Sequence, residues 1–212
     1  MTLFIIHTLF LLALLVTAVL AYSRIKNAQR DYLPMLLFLI STFLFETLQF
    51  IFASDRPTLK VLIHLQIVIG FLLICWQAQK WKIFNNLKGY KLLIAIMLGV
   101  WLVELIFQKQ EENNIPWFSV VYSFTIVLVA IELLKRQLTI VNQRLFQNSI
   151  VLFSIGLIFY YTFVVLMDLF MLIGQYSGQE VLRVGYIITI ALGLVTNFLY
   201  LRAVLCLPKL TN

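Results

Sequence analysis

The sequence predicts an all-α fold, a polytopic bundle of seven transmembrane helices that takes up residues 1–212 and leaves no soluble domain. Composition is the first reason, because 62% of the residues are hydrophobic, 12% are charged and the mean hydropathy is +0.98. Soluble domains are far more polar. The second reason is that the apolar residues form seven runs of roughly 18 to 25 residues, and a helix needs about 20 to cross a bilayer.

Each apolar run is predicted to be one helix. Hydrocarbon offers no water to backbone groups, so a spanning segment is a helix or part of a closed barrel, and these runs lack the alternation of barrel strands. The four prolines, at positions 34, 57, 116 and 208, lie at run ends, where proline starts or stops helices. The predicted spans are residues 3–22, 33–53, 60–79, 91–108, 117–134, 149–173 and 183–207.

Lysine and arginine predict how the bundle is oriented. Connecting segments on one side hold eleven of these residues, whereas the other side holds four, Arg56, Lys60, Lys109 and Arg183. Basic segments stay in the cytoplasm, so we expect a plasma (inner) membrane protein with its N-terminus outside and its C-terminus in the cytoplasm. No positive charge precedes the first run, and we therefore expect it to remain as a span rather than be cleaved as a signal peptide.

Ionisable side chains inside the spans mark a candidate site. Such groups are costly in hydrocarbon unless they are paired, so by default they face the bundle interior. Spans one, two, three, four and six each supply one such group, and at about 1.5 Å per residue all five lie roughly 6 to 10 Å below the predicted outer boundary. We expect an outward-facing polar pocket. Its candidate ligand-binding residues are His7, Glu46, Gln49, His64, Glu104, Tyr161 and Asp168.

The spacing of the polar residues in the second and sixth spans supports a position on the inward face of each helix. Thr42, Glu46 and Gln49 are four and three residues apart, which places them on one helical face, and Tyr161 and Asp168 are seven apart on the sixth span. An alternative is that these polar groups form a structural set, tolerated because side chains at this depth partly reach water.

The seventh span carries a pattern of a different kind. Gly185, Thr189, Gly193 and Asn197 recur at every fourth position. Small residues at this spacing let two membrane helices approach closely, and an amide can bond across the contact. We interpret these four residues as helix packing rather than ligand binding.

Several classes of site are excluded or disfavoured. The last span has no lysine for a retinal Schiff base, and the chain has two histidines, too few for a zinc hydrolase. His7 and His64 have matching depth and could in principle ligate a haem iron, but lone histidines in spans are more often hydrogen-bonded structure. We expect no catalytic residue, metal or cofactor. The net charge of +7 reflects orientation and predicts the lipid bilayer, not a nucleic acid, as partner.

The segment after the fifth span, residues 135–148, is basic, and its apolar residues recur at helical spacing. We expect the fifth helix to continue past the membrane here. Such a segment lies on the anionic leaflet or docks a cytoplasmic signalling protein. Just before it, Glu132 precedes Lys135 and Arg136 by three and four residues, which predicts a structural ion pair on one helix face.

Parts of three spans carry a resemblance. Residues 42–46 read Thr-Phe-Leu-Phe-Glu, Tyr160 and Tyr161 are adjacent, and Asn197, Tyr200 and Cys206 follow in the last span. In these features the chain resembles uncharacterised bacterial seven-helix membrane proteins thought to accompany two-component signalling. The resemblance implies a role in signalling and assigns no catalytic residue.

Three functions remain open from the sequence. The first is a sensor or signal-transmitting protein whose outer pocket takes a small ligand, a lipid or a proton, for instance on Glu46 or Asp168. The second is a transporter or channel that uses these acids as proton or cation sites, although the inner halves of spans one to four are nearly all apolar and a conduction path needs polar groups throughout. The third is a structural subunit of a larger membrane complex.

Overall fold

The structure, a computed structural model, describes residues 2–83, 87–107, 117–140, 145–173 and 179–208. Within these ranges the chain forms seven α-helices, which confirms the predicted all-helical class. Short 3-10 turns at Arg30–Tyr32 and Leu145–Gln147 precede the second and sixth helices. The helices are α1 (Thr2–Arg24), α2 (Leu33–Ile51), α3 (Arg56–Lys80), α4 (Leu87–Phe107), α5 (Trp117–Ile140), α6 (Ser149–Ile173) and α7 (Gln179–Leu205).

Local sequence sets where helices begin. Pro34 and Pro57 lie in the first turns of α2 and α3, where a missing backbone N–H costs nothing. The side chain of Asn148 caps α6, because its Oδ1 accepts from the backbone N–H groups of Ile150 at 2.9 Å and Val151 at 3.4 Å. Asparagine is among the best residues for this position.

The end of α3 is a Schellman motif. The backbone N–H of Ile83 donates to the carbonyl of Ala78, and that of Lys82 donates to the carbonyl of Gln79. Lys82 takes the left-handed conformation, with φ of 57°, and the buried side chain of Ile83 supplies the apolar contact of the motif. The chain therefore turns sharply after α3.

Within the part of the chain that the structure describes, six helices are long and apolar enough to cross a membrane: α1, α2, α3, α5, α6 and α7. Each also exposes large apolar side chains, such as Phe4, Leu44, Val61, Phe124 and Phe170, as expected where the neighbour is lipid. This chain is therefore a multi-pass helical membrane protein. The predicted fourth span corresponds to α4, which is not among these six.

The same six helices form a closed ring. Neighbours pack in the order α1, α2, α3, α5, α6, α7, and α7 returns to α1. Helix α4 lies outside the ring, against α3 and α5. The interior of the bundle is therefore enclosed by six helices rather than seven.

The two ends of the ring differ in packing and charge. We name them the Glu46 end, where α1, α3, α5 and α7 begin, and the Lys80 end, where they finish. Many tightly buried apolar side chains, among them Met35, Ile74 and Val204, lie toward the Lys80 end. Basic side chains gather at this end too, and Lys80 pairs there with Asp31 at 3.9 Å. The solid core thus fills one half of the bundle, and a cavity occupies the other.

Candidate functional site

The cavity lies inside the ring and measures about 190 Å³. All six ring helices line it, and none of its described lining residues comes from α4. At roughly 30 Å³ per water molecule, it holds about six waters. Representative lining residues, one for each ring helix, are Phe10, Glu46, Gln66, Tyr122, Tyr161 and Asn197.

A carboxylate held by amides occupies the α2–α3 side of the cavity. Gln66 Nε2 donates to Glu46 Oε1 at 3.2 Å, and the Gln66 carbonyl oxygen in turn accepts from Gln49 Nε2. Glu46 and Gln66 both line the cavity, whereas Gln49 stands behind them. The amide chain therefore fixes the direction of the Glu46 carboxylate.

A second carboxylate, that of Asp168, lies behind a residue that lines the cavity. Ser119 lines the cavity, and its hydroxyl donates to Asp168 Oδ2 at 2.7 Å. This bond joins the first turn of α5 to the last turns of α6. Asp168 is thus hydrogen-bonded to the lining through Ser119.

Tyrosines form the α5–α6 side. The hydroxyls of Tyr122 and Tyr161 are 2.9 Å apart, and their rings meet edge to face with centroids separated by 5.5 Å. Tyr160 packs edge to face on Tyr161 at 5.3 Å and also lines the cavity. Edge-to-face contacts of this kind bury apolar area and also fix the orientation of the rings.

Four lining side chains have buried polar atoms with no hydrogen-bond partner among the described residues. An unpaired buried polar group costs about 1–3 kcal/mol, so a polar molecule in this cavity would gain from bonding to these four. They are Ser123 (0% exposed), Thr196 (2%), Asn197 (5%, through Oδ1) and Tyr200 (6%).

Aromatic rings close the cavity toward the Lys80 end. Tyr200 packs on Phe153 at 5.2 Å between centroids and on Phe38 at 6.4 Å. Phe153 then contacts Phe38 at 5.9 Å and Trp81 at 6.0 Å. We name these four residues the aromatic floor. Phe153 is 1% exposed, so the floor is continuous with the core below it.

The structure separates the predicted ligand-binding residues into three groups. Glu46 and Tyr161 line the cavity, and Gln49 and Asp168 lie one hydrogen bond behind the lining. The three others do not line it. His7 stacks on Phe50 at 5.0 Å, His64 is half-buried on α3, and Glu104 Oε2 accepts from the backbone N–H of Phe118 at 2.5 Å.

The residues predicted for helix packing divide in a similar way. Gly185 faces Met167 of α6, and Gly193 faces Phe10 of α1. Thr189 donates back to the carbonyl of Gly185 at 2.9 Å. Asn197 and Gly193 also line the cavity, so the predicted packing stripe on α7 has a second role at its inner end.

Three hydroxyl residues of the lining, Ser41, Ser119 and Thr196, were not predicted at all. All three lie inside apolar runs, where such residues usually bond back to their own helix and carry no signal of a site. In the sequence, Tyr160 and Tyr200 are marked only by the resemblance, because tyrosine is common in membrane helices for packing alone.

No family model, curated protein or solved structure matches this chain. The site is therefore interpreted from its own side chains. Among the described residues no three of histidine, cysteine, aspartate and glutamate come close enough to hold a metal ion. The described lining holds one carboxylate, that of Glu46, together with hydroxyls, amides and aromatic rings, and no lysine, arginine or histidine.

Proposed function

We propose that this protein is a membrane sensor or signal-transmitting protein, in which a small ligand binds the ring cavity and the Lys80 end passes the change to a cytoplasmic partner. The observation that carries the proposal is the cavity itself, because four buried polar atoms of its lining have no hydrogen-bond partner among the described residues. The proposed orientation has seven spans, with the Glu46 end outside and the Lys80 end in the cytoplasm.

The aromatic floor favours a sensor over a transporter or channel. A conduction path needs polar groups or water across the whole thickness of the membrane. Below Tyr200, however, the ring is filled by Phe153, Trp81 and the buried apolar core. A ligand can therefore enter one half of the bundle without a path through the other.

Contacts between α6 and α7 offer a route for the signal. Tyr200 touches the cavity on one side and on the other lies against Gly156, where an added Cβ would be 2.6 Å from the ring. A ligand that displaces Tyr200 must therefore move α6 relative to α7. Packed membrane helices respond to such displacements by shifts of about 1–2 Å.

The Lys80 end provides the surface that a cytoplasmic partner would meet. Helix α5 continues to Ile140, six residues past the predicted span, and Arg136 pairs there with Glu132 at 3.0 Å, as predicted. Arg136 also donates to the backbone carbonyl of Lys82. The predicted docking segment, residues 135–148, lies partly outside the described residues, and its described part ends in the 3-10 turn before α6.

A distance measurement tests signal transmission. Nitroxide labels on Leu138→Cys of α5 and Leu205→Cys of α7, both exposed, report the Lys80 end in a Cys206→Ser background. We expect Glu46→Gln and Asn197→Ala to shift the distance by about 2 Å. Leu128→Ala, a matched change on the exposed face of α5, should leave it unchanged. An unmoved distance in both cavity variants would contradict a sensor.

A flux assay tests the rival function. We expect liposomes that contain the protein to pass protons, Na⁺ and K⁺ no faster than empty liposomes. A flux that is present in the unaltered protein and lost in Glu46→Gln would establish a transporter or channel and overturn the proposal.

A further inference from the structure

The electrostatics of the cavity favour a cation. Its described lining contains the Glu46 carboxylate and no positively charged side chain. The ion pairs formed by the described residues, Lys80 with Asp31 and Arg136 with Glu132, both lie at the opposite end. A carboxylate in a low-dielectric site gains most from a positively charged partner and disfavours an anion.

Aromatic rings reinforce this preference. Two phenylalanines and four tyrosines line the cavity, and they come from five helices, α1, α2, α5, α6 and α7. The face of an aromatic ring attracts a cation, and the attraction grows where water is excluded. The rings also give apolar contact to a hydrocarbon chain, which a bare metal ion cannot use.

The unpaired polar atoms suit a ligand that donates hydrogen bonds. Asn197 Oδ1 is an acceptor only, and the hydroxyls of Ser123, Thr196 and Tyr200 can each accept a hydrogen bond. A primary ammonium group carries N–H donors, whereas a quaternary ammonium group has none. At about 190 Å³ the cavity is smaller than the roughly 300–1,000 Å³ of pockets for drug-sized ligands, which favours a short chain.

We propose that the cavity binds a small protonated primary amine, with the Glu46 carboxylate as its counter-ion, tyrosine ring faces around it and the alkyl chain against Phe10 and Phe38. This inference rests on the proposed function, because it names the ligand class of the same cavity. Gln66 positions Glu46 for the amine, and Asn197 and Tyr200 take the hydrogen bonds that the carboxylate does not.

Calorimetric titration of the full chain in lipid nanodiscs tests the ligand class. Butylammonium chloride is compared with 1-butanol, which has the same number of non-hydrogen atoms, with sodium butyrate, and with NaCl at the same ionic strength. Empty nanodiscs give the baseline for partitioning into lipid. We expect butylammonium to bind and the other three compounds to give no saturable heat.

The Glu46→Gln variant should weaken butylammonium binding about tenfold or more, because the charge-assisted contact is lost. Glu132→Gln is the matched control. It removes an acid from α5 that pairs with Arg136 at the opposite end, and it should bind butylammonium as the unaltered protein does. Equal binding by all three proteins would overturn the proposal.

A pair of tyrosine variants tests the ring contribution without touching the carboxylate. Tyr160→Phe keeps the ring and should bind within about twofold of the unaltered protein, whereas Tyr160→Leu removes the ring and should bind several-fold more weakly. This comparison also stands if Glu46→Gln fails to fold. Indistinguishable affinities of the Phe and Leu variants would contradict a role for ring faces.

The outcomes separate the ligand class from the proposed function. Saturable binding of 1-butanol equal to that of butylammonium would contradict the proposal of an amine ligand. The proposal of a sensor would still stand, with another ligand. Butylammonium binding that leaves the Leu138–Leu205 label distance unchanged would support the amine site and contradict signal transmission.

Discussion

At the scale of single residues, Gln77 joins two helices at the Lys80 end. Its Oε1 accepts from the backbone N–H of Met35 and its Nε2 donates to the backbone carbonyl of Asp31, each at 2.6 Å. The side chain is 1% exposed. It therefore satisfies one of the free N–H groups at the start of α2, a role that other helices give to a capping residue.

We expect Gln77→Leu to lower the stability of the protein by about 1–3 kcal/mol, because two buried backbone groups lose their partners. The midpoint of thermal unfolding in detergent, followed by circular dichroism, measures the effect. Gln79→Leu is the control, since no hydrogen bond of the Gln79 side chain is described, and it should change the midpoint little. Equal midpoints for the two variants would contradict the role of Gln77.

Glu104 differs from the cavity acid Glu46. Its carboxylate accepts from the backbone N–H of Phe118 at the start of α5, where a negative charge is favourable. We expect Glu104→Ala to destabilise the protein by about 0.5–2 kcal/mol and to leave butylammonium affinity unchanged. Unfolding midpoints and calorimetric titration measure the two effects separately. A loss of butylammonium affinity as large as that of Glu46→Gln would mean that Glu104 contributes to ligand binding.

At the scale of helices, Gly156 permits a close contact between α6 and the Tyr200 ring of α7. An added Cβ would lie 2.6 Å from Tyr200 Cε1 and 3.1 Å from Cδ1. The ring cannot swing away freely, because Phe38 and Phe153 hold it on other sides. By contrast, the Cβ added at Gly185 would meet the flexible end of Met167.

Gly156→Ala should therefore cost about 1–3 kcal/mol through overpacking. At Gly99 of α4 nothing lies within 4 Å of an added Cβ, and Gly99→Ala should be neutral or stabilising by up to about 1 kcal/mol through helix propensity. Urea or detergent unfolding curves of the two variants give the comparison. A Gly156→Ala protein as stable as Gly99→Ala would mean that α6 and α7 can separate at this contact.

Helix bounds were predicted well wherever composition changes at the helix end. Helix α6 occupies the predicted residues 149–173, because Asn148 both ends the polar segment and caps the helix. Helix α3 begins at Arg56, four residues before the predicted span, since Pro57 allows a helical first turn among polar residues. Hydropathy identifies the residues that lie in the hydrocarbon. The helix itself extends for as long as its backbone hydrogen bonds are satisfied.

At the scale of the whole molecule, a single sequence predicts the depth of a residue along its helix but not the position of that helix around the ring. Depth follows from the constant rise of a helix, and on that basis Glu46 and Glu104 belong to one layer. The rise per residue does not determine which helices pack against each other. Helix α4 packs outside the ring, so Glu104 lies away from the cavity although its predicted depth is the same. The contribution of Thr196 and Tyr200 likewise depends on packing that a single sequence does not contain.

The proposed orientation makes a prediction for the whole chain, tested by labelling intact cells with a membrane-impermeant maleimide. Single cysteines are placed in a Cys206→Ser background, where the remaining Cys75 is 1% exposed. The basic end of the ring belongs in the cytoplasm. We therefore expect Ser54→Cys, between α2 and α3, to react from outside, and Asn27→Cys, between α1 and α2, to react only after permeabilisation.

Lys109→Cys extends the same assay to α4. Helix α4 has 21 residues, which at 1.5 Å per residue span about 31 Å, the thickness of the hydrocarbon core. If α4 crosses the membrane, position 109 reacts from outside together with position 54. Reaction at 54 with protection at 109 would contradict a span at α4, because Glu104 of α4 reaches the start of α5 at the Glu46 end. Reaction at 27 with protection at 54 would invert the molecule, and the cavity could then take its amine only from the cytoplasm.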